Sequence, residues 1–353
     1  MPSPNRLDAA IQSGKAKQYM NDERILLAHG NGGRYMRELI TDIFARHLGN
    51  PVLDTDADAV HLPGLDGDIM VTTDGFTVQP LEFPGGNLGS LAVHGVVNDL
   101  AVAGAEPRYA TLSAIIEEGL ELSTLERLIA SFAAAARENG LQVAAGDTKV
   151  VRHSEGGGLY LSVAGIGQRA ATQKLGMKQV EAGDAVLVSG SIGDHGIAVM
   201  LAREQFGLSG ELLSDSASVL PLARAAWHQP GLRFMRDPTR GGLATVAHEI
   251  ARATGHDLVL QQAQLPVRDA VQSVCEMLGY DPYYLACEGR IVAVAAPEAA
   301  GQILEAWHAL PNGQDAAAIG RVAPGKGRVA LKTTLGGLRY LDELEDDPLP
   351  RIC

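Results

Sequence analysis

Hydrophobic positions along this chain follow two different periods, and the switch between them marks out the elements. Alternation or short continuous apolar runs predict strands at 69–73, 141–145, 159–166 and 185–189. A 3.6-residue period predicts helices over 88–103 and 124–139, another after Gly242 and one starting at Pro266. In the 124–139 helix Leu125, Leu128, Ile129 and Phe132 form the apolar stripe, Ser123 and Glu126 spell a capping box, and Gly140 is the stop. Val271, Val274, Cys275 and Leu278 share one face of the Pro266 helix, which puts Cys275 in a core. A strand-like or buried run from Ile25 leads to Gly30-Asn31-Gly32-Gly33 and then to a helical pattern through Met36, Leu39, Ile40 and Ile43. Strand runs joined by long helices favour an α+β fold over a doubly wound sheet.

Length and charge narrow the class. A chain of 353 residues exceeds one ordinary core, so two domains are expected, with the turn-rich stretch 169–183 between them. The division reads as a leader over 1–24, domains over 25–170 and 171–335, and a mobile tail over 336–353. A net charge of −13 argues against general nucleic-acid binding. No run approaches the ~18 apolar residues of a membrane span, and no signal segment is evident. Cys275, Cys287 and Cys353 form no CxxC pair and an odd set, a poor disulfide framework, so a cytoplasmic protein is expected. The 41 glycines cluster in short motifs, the pattern of tight turns and of backbone brought close to a ligand.

The candidate chemistry lies at those turns. Asp74, Asp99, Asp147 and Asp237 each sit beside Gly, Thr, Asn or Arg, and such hard oxygen donors suit Mg2+ with bridging phosphates. Singly, an Asp at a turn is more often a cap. Asp237-Pro238-Thr239-Arg240-Gly241-Gly242 puts Arg240 at a helix N-terminus, where anions are favoured. The loop Gly30-Asn31-Gly32-Gly33 is suited to covering a polyphosphate, without the GxxxxGK[ST] of a P-loop. Lys149 and Glu288 are the candidates for proton transfer, provided the site perturbs them. The histidines lack metal-ligand spacing, so zinc is not expected. The last residue is Cys353, behind Pro348 and Pro350, which describes an extended arm with a thiol at its tip.

Taken together, Ala28-His29-Gly30-Asn31-Gly32-Gly33, Thr72-Thr73-Asp74-Gly75-Phe76, Phe83-Pro84-Gly85-Gly86, Asn98-Asp99-Leu100-Ala101, Gly146-Asp147-Thr148-Lys149, Gly193-Asp194-His195-Gly196, Asp237 to Gly242 and terminal Pro350-Arg351-Ile352-Cys353 resemble the HypE family of hydrogenase maturation proteins. That family lies within the aminoimidazole-ribonucleotide-synthetase-like superfamily. The resemblance implies a two-domain α+β (PurM-like) enzyme that uses ATP and Mg2+, usually a homodimer whose N-terminal domains join their sheets. It implies a thiocarboxamide loaded on Cys353 by the carbamoyltransferase HypF and dehydrated to a thiocyanate. The cyano group then passes to iron on a HypC–HypD scaffold. By the same resemblance Gly30, Asn31, Gly32, Gly33, Thr73, Asn98, Thr148 and Arg240 would meet the nucleotide, and Asp74, Asp99, Asp147 and Asp237 the metal. Cys353, Lys149 and Glu288 would be catalytic, and the acidic stretch 342–347 would stay solvated to let the arm swing. Selenophosphate synthetase and thiamine-monophosphate kinase share the internal motifs, but the former's N-terminal reactive cysteine has no counterpart before Cys275. A non-catalytic assembly scaffold is the other alternative.

Overall fold

The helix Leu88–Val102 is apolar on nearly every side, and the molecule is arranged so that every side is covered. The computed structural model describes residues 23–57, 59–171, 173–203 and 211–344. Cys353, the leader up to Asp22 and the tail from Glu345 lie outside the described residues.

In the N-terminal half, β1 (Asp68–Phe76), β4 (Ala105–Glu117), β5 (Gln142–Val151) and β6 (Leu159–Arg169) form a sheet in the order β1-β6-β4-β5, with β2 (Glu82–Phe83) and β3 (Gly86–Asn87) as a separate small hairpin. β1 and β4 run antiparallel to β6, and β5 runs parallel to β4. A short helix α1 (Arg34–Leu39) runs on through a π-helical turn, Ile40–Ala45. The sheet's inner face is covered by α2 (Leu88–Val102) and α3 (Leu122–Glu138). α2 opens with a reciprocal cap between Asn87 and Ser90, a signal the sequence pattern left unread. The capping box expected at Ser123 does not form: α3 starts at Leu122 behind Glu121, and Glu126 turns instead to Arg46. The run from Ile25 is a 3-10 turn, Leu27–Gly30, rather than a strand, with Ile25 fully buried.

The second half holds β7 (Ala185–Val188), β8 (Leu232–Arg236), β9 (Asp257–Gln261), β10 (Val292–Ala295), β11 (Ala317–Ala323), β12 (Val329–Lys332) and β13 (Leu338–Tyr340), in the order β13-β12-β9-β11-β7-β10-β8. Among the described residues of this sheet only the β12–β9 pair is parallel. Around the sheet lie α4 (Asp194–Ala202), α5 (Leu220–Trp227), α6 (Gly242–Thr254), α7 (Asp269–Leu278) and α8 (Pro297–His308). α7 starts at Asp269, three residues after the Pro266 expected to open it, and Cys275 is buried on it. The mixed sheets and packed helices make an α+β fold.

α2 joins the halves. Trp227 on α5 donates its indole N–H to the Ala101 carbonyl at 3.0 Å, and Asn98 bonds three backbone groups of the second half. One apolar core runs through both halves around this helix.

Candidate active site

Side chains on a strand point alternately to the two faces of its sheet, so the pairing register decides which candidate residues can meet. On β1, Thr72, Asp74 and Phe76 point to the inner, helix-bearing face, while Ile69, Val71 and Thr73 point outward. Phe76 lies across α2 where Gly95 leaves room: a Cβ on Gly95 would come within 2.4 Å of the ring. Beside it a cavity of about 240 Å³ opens at the seam between the halves. Asp74, Phe76, Thr77, Asp99, Asp237, Thr239, Arg240 and Glu288 are among its lining residues. The fold thus gathers three of the four expected metal carboxylates, one expected base and the expected anion-binding arginine.

Each carboxylate arrives from a different element. Asp99 projects from α2 and accepts the Thr72 hydroxyl at 2.5 Å. Burial raises its proton affinity, opposed by that hydrogen bond and by Arg236. Asp237 follows β8 and is buried; burial first, then the neighbouring Asp99, lift its pKa to about 7. Glu288 precedes β10 and is held well above the usual carboxylate range by burial and then by Asp237, Asp215 and Asp74. Arg240, exposed at the start of α6, stands 3.9 Å from Asp74 and only partly offsets this crowding. The turn that carries it needs glycine: Gly242 has φ +56°, and a Cβ there would meet the Leu285 carbonyl at 2.4 Å.

Asp147, Thr148 and Lys149 take another position. They lie on β5, and β1 and β5 occupy opposite edges of the four-stranded sheet. At ~4.8 Å per strand the two edges are about 14 Å apart. Lys149 pairs with Ile115, which pairs in turn with Tyr160, so Lys149 stands on the outer face, away from Glu288. Asp147 and Thr148 border a second cavity, with Phe44, Leu48, Leu53, Asp54 and Val143 in its wall. The Thr148 hydroxyl is buried there with no hydrogen-bond partner among the described residues. The Gly30–Gly33 loop packs against this strand, with Gly30 so near Val150 that a Cβ would come within 2.8 Å of it. Asn31, Gly32 and Gly33 are exposed.

One expectation needs correction. Asn98 was expected at the nucleotide, but its amide is buried and spent on the Ala217 and Glu288 carbonyls and the Val219 N–H. Of the acidic stretch 342–347, expected to stay solvated, the described Asp342 and Glu343 are exposed, and its first residues also make contacts. Tyr284 donates to the Asp342 carbonyl at 2.8 Å, Arg252 pairs with Glu343 at 2.8 Å, and Leu344 packs on Gly241 next to Arg240.

The sequence reading missed a second polar cluster behind Glu288. Buried Asp194 lies 3.0 Å from Arg268 and 3.6 Å from buried Arg290, whose Nε is 3.4 Å from Asp215. Its one sequence signal was Arg290 itself, a charge set directly against the apolar run Ile291 to Ala296, where burial demands a partner.

Comparison with known proteins places this arrangement. Residues 55–168 match the N-terminal domain, and 181–332 the C-terminal domain, of AIR synthase related proteins. Carbamoyl dehydratase HypE of Azotobacter vinelandii is 44% identical over 329 residues, covering 93% of this chain and 96% of that protein. The chain belongs to the HypE family of carbamoyl dehydratases. A crystal structure of the HypE hydrogenase maturation protein in complex with ATP aligns with a TM-score of 0.88 at 40% identity, covering 93% of this chain and 99% of that one. A HypE–HypF complex aligns with a TM-score of 0.76 at 39% identity, covering 87% and 99%. The HypE fold is therefore present over almost the full length of both partners in each alignment.

Proposed function

We propose that this HypE-family chain dehydrates a thiocarboxamide carried on Cys353 to a thiocyanate, using ATP, as a source of cyanide ligands for the iron of nickel–iron hydrogenase. The observation that carries the reading is the seam cavity, where Asp74, Asp99, Asp237 and Glu288 converge in a chain 44% identical to a carbamoyl dehydratase. The amide oxygen of a thiocarboxamide is a poor leaving group. Transfer of the γ-phosphoryl group to it turns loss of oxide into loss of phosphate, and removal of the two nitrogen protons completes the C≡N bond. Glu288 and Lys149 take those protons, and Arg240 holds phosphate oxygen. ATP binding is supported by the aligned HypE–ATP complex. The apolar cavity around Phe44 and Val143 suits the adenine, with Thr148 offering a hydroxyl that has no other partner among the described residues. The loop Gly30 to Gly33 and Thr73 then serve the phosphates.

Mg2+ fits the donor set. Among the described residues no three acidic, His or Cys side chains form a ready-made metal cage. Mg2+ shared with phosphates needs only one or two carboxylates and keeps several waters. Asp99, Asp237 and Asp74 are the residues to hold it, with Asp147 nearer the nucleotide. When bound it supplies positive charge against the phosphates.

Lys149 and Glu288 meet in a homodimer, on this reading. The outer face of the N-terminal sheet exposes Ile69 and Val71 towards one end and Ile115 and Tyr160, with Lys149 beside them, towards the other, and a second copy covers that face. HypF loads the thiol, as the HypE–HypF complex supports, and a HypC–HypD scaffold receives the product. Among the described residues no helix is long and apolar enough to cross a membrane, and we assign the chain to the cytoplasm.

Mass spectrometry of the terminal peptide tests the activity: a Cys353-thiocarboxamide chain should lose one water only when ATP is added. Persistence of the thiocarboxamide in the presence of Mg·ATP would refute it. Mixing inactive Lys149→Ala and Glu288→Ala chains tests the shared site, because mixed dimers should regain part of the rate.

A further inference from the structure

Glu288 belongs to the second half of the molecule, whereas Asp74 and Asp99, which face the same cavity, belong to the first. Its carboxyl is useful only if the halves are held in register. Two side chains outside the reacting set meet at its peptide. Asn98, next to Asp99 on α2, donates to the Glu288 carbonyl at 3.2 Å and to the Ala217 carbonyl at 3.1 Å, and accepts the Val219 N–H at 2.8 Å. Both amide donations are spent on the second half, which leaves no N–H for a phosphate. On the other side, Asp215 accepts the Glu288 N–H at 3.1 Å and is backed by Arg290 at 3.4 Å. The Ala217 N–H also reaches the Glu288 carbonyl, at 3.3 Å. The two segments pass so closely that a Cβ on Gly289 would lie 1.9 Å from the Asp215 carbonyl oxygen.

We propose that Asn98 and Asp215 are positioning residues that clamp the Glu288 peptide from the two halves and aim its carboxyl into the seam cavity. This rests on the reading that Glu288 takes part in the dehydration. It also reassigns Asn98 from the nucleotide to the base. The physical ground is that a reacting group displaced by about 1 Å costs roughly 100-fold in rate, and that a side chain is only as well placed as the hydrogen bonds fixing its backbone.

The test uses the full-length chain carbamoylated at Cys353, with Asn98→Ala, Asp215→Ala and Asp215→Asn. Asparagine keeps the acceptor for the Glu288 N–H. Single-turnover dehydration should fall roughly 100-fold in Asn98→Ala and Asp215→Ala while ATP Kd stays within about 3-fold, and Asp215→Asn should recover most of the rate. Crystal structures should show Glu288 displaced in the two alanine variants and in place in Asp215→Asn. Should Asn98→Ala not fold, Asn98→Asp, which keeps the acceptor and loses both donations, carries the same expectations. Wild-type turnover in Asn98→Ala would overturn the proposal. So would ATP affinity falling in step with rate, an Asp215→Asn as slow as Asp215→Ala, or an unmoved Glu288. If the wild-type chain does not dehydrate at all while Glu288 still shifts as expected, the dehydratase reading falls and the clamp stands.

Discussion

Two groups of buried carboxylates are linked by the short segment from Cys287 to Arg290, and they differ in how their charge is met. Asp194 and Asp215 are matched by Arg290 and Arg268, all within 3.6 Å of a partner. Buried Asp237 and Glu288 and partly buried Asp99 have no such ion pair among the described residues: Arg240 lies 3.9 Å from Asp74 in an exposed position and acts on Glu288 through space, as Arg236 does on Asp99 and Asp237. A buried charge without a partner shifts its pKa or waits for a ligand. The first group is therefore ion-paired within itself, although Asp194 Oδ1 and Asp215 Oδ2 have no hydrogen-bond partner among the described residues and burial raises both carboxyls. The second is not, and on the proposed reading it serves a cation and a proton transfer. The segment 287–290 carries one residue of each group, so on the proposed reading the paired cluster braces the one assigned to catalysis.

Perturbing the unpaired group should hurt chemistry at little cost in stability, whereas perturbing the paired group should also cost stability. Glu288→Gln keeps the volume and removes the base, so dehydration measured by mass spectrometry should fall by about 10²–10⁴-fold with little change in thermal stability. Asp237→Asn should lower the rate by about 100-fold and blunt its dependence on Mg2+ concentration. In contrast, Arg290→Met strands Asp215, leaves Asp194 to Arg268 alone, and should cost about 3–5 kcal/mol in urea unfolding. Equal stability losses in Glu288→Gln and Arg290→Met would erase the distinction between the groups.

The smallest effect is a pH signature. Asp237 titrates near 7 in the native state, above its unfolded value of 3.8, so between those values the native state holds a proton that the unfolded chain has lost. Its contribution to stability is complete below about pH 4 and lost as pH rises through about 7. Buried His94 and His195, lowered to about 4 and about 3 by burial, act the other way, losing stability as pH falls below 6.5. The readout is thus a difference: Tm of Asp237→Asn minus wild type, in chelator, should grow from about pH 4 to 7 and then level off. A flat difference would mean that Asp237 is not the crowded group.

Much of this was legible in the residue pattern, and the limits have identifiable causes. The strand carrying Asp74 (though it runs on to Phe76), the helix carrying Asn98 and Asp99, and the burial of Cys275 follow from local periodicity. The separation of Lys149 from Glu288 does not, because it depends on β5 pairing at the far edge from β1, a non-local choice. Asn98 was assigned to the nucleotide by the resemblance of Asn98-Asp99-Leu100-Ala101. Adjacent helix residues point about 100° apart, and that angle turns Asn98 to the second half while Asp99 faces the cavity. Asp215, in Ser214-Asp215-Ser216, reads as an ordinary polar turn, and only its burial reveals its role.

The pinning of residues 342–344 against Tyr284, Arg252 and Gly241 sets a leash length. Cys353 is the ninth residue after Leu344, a span of at most ~30 Å. A thiol on so short a leash, anchored beside Arg240, experiences a millimolar local concentration at its own enzyme whatever the concentration in the surrounding solution. Dilution should then leave the dehydration rate of a loaded dimer unchanged. A free peptide bearing the same cargo should compete only when supplied at comparable millimolar levels.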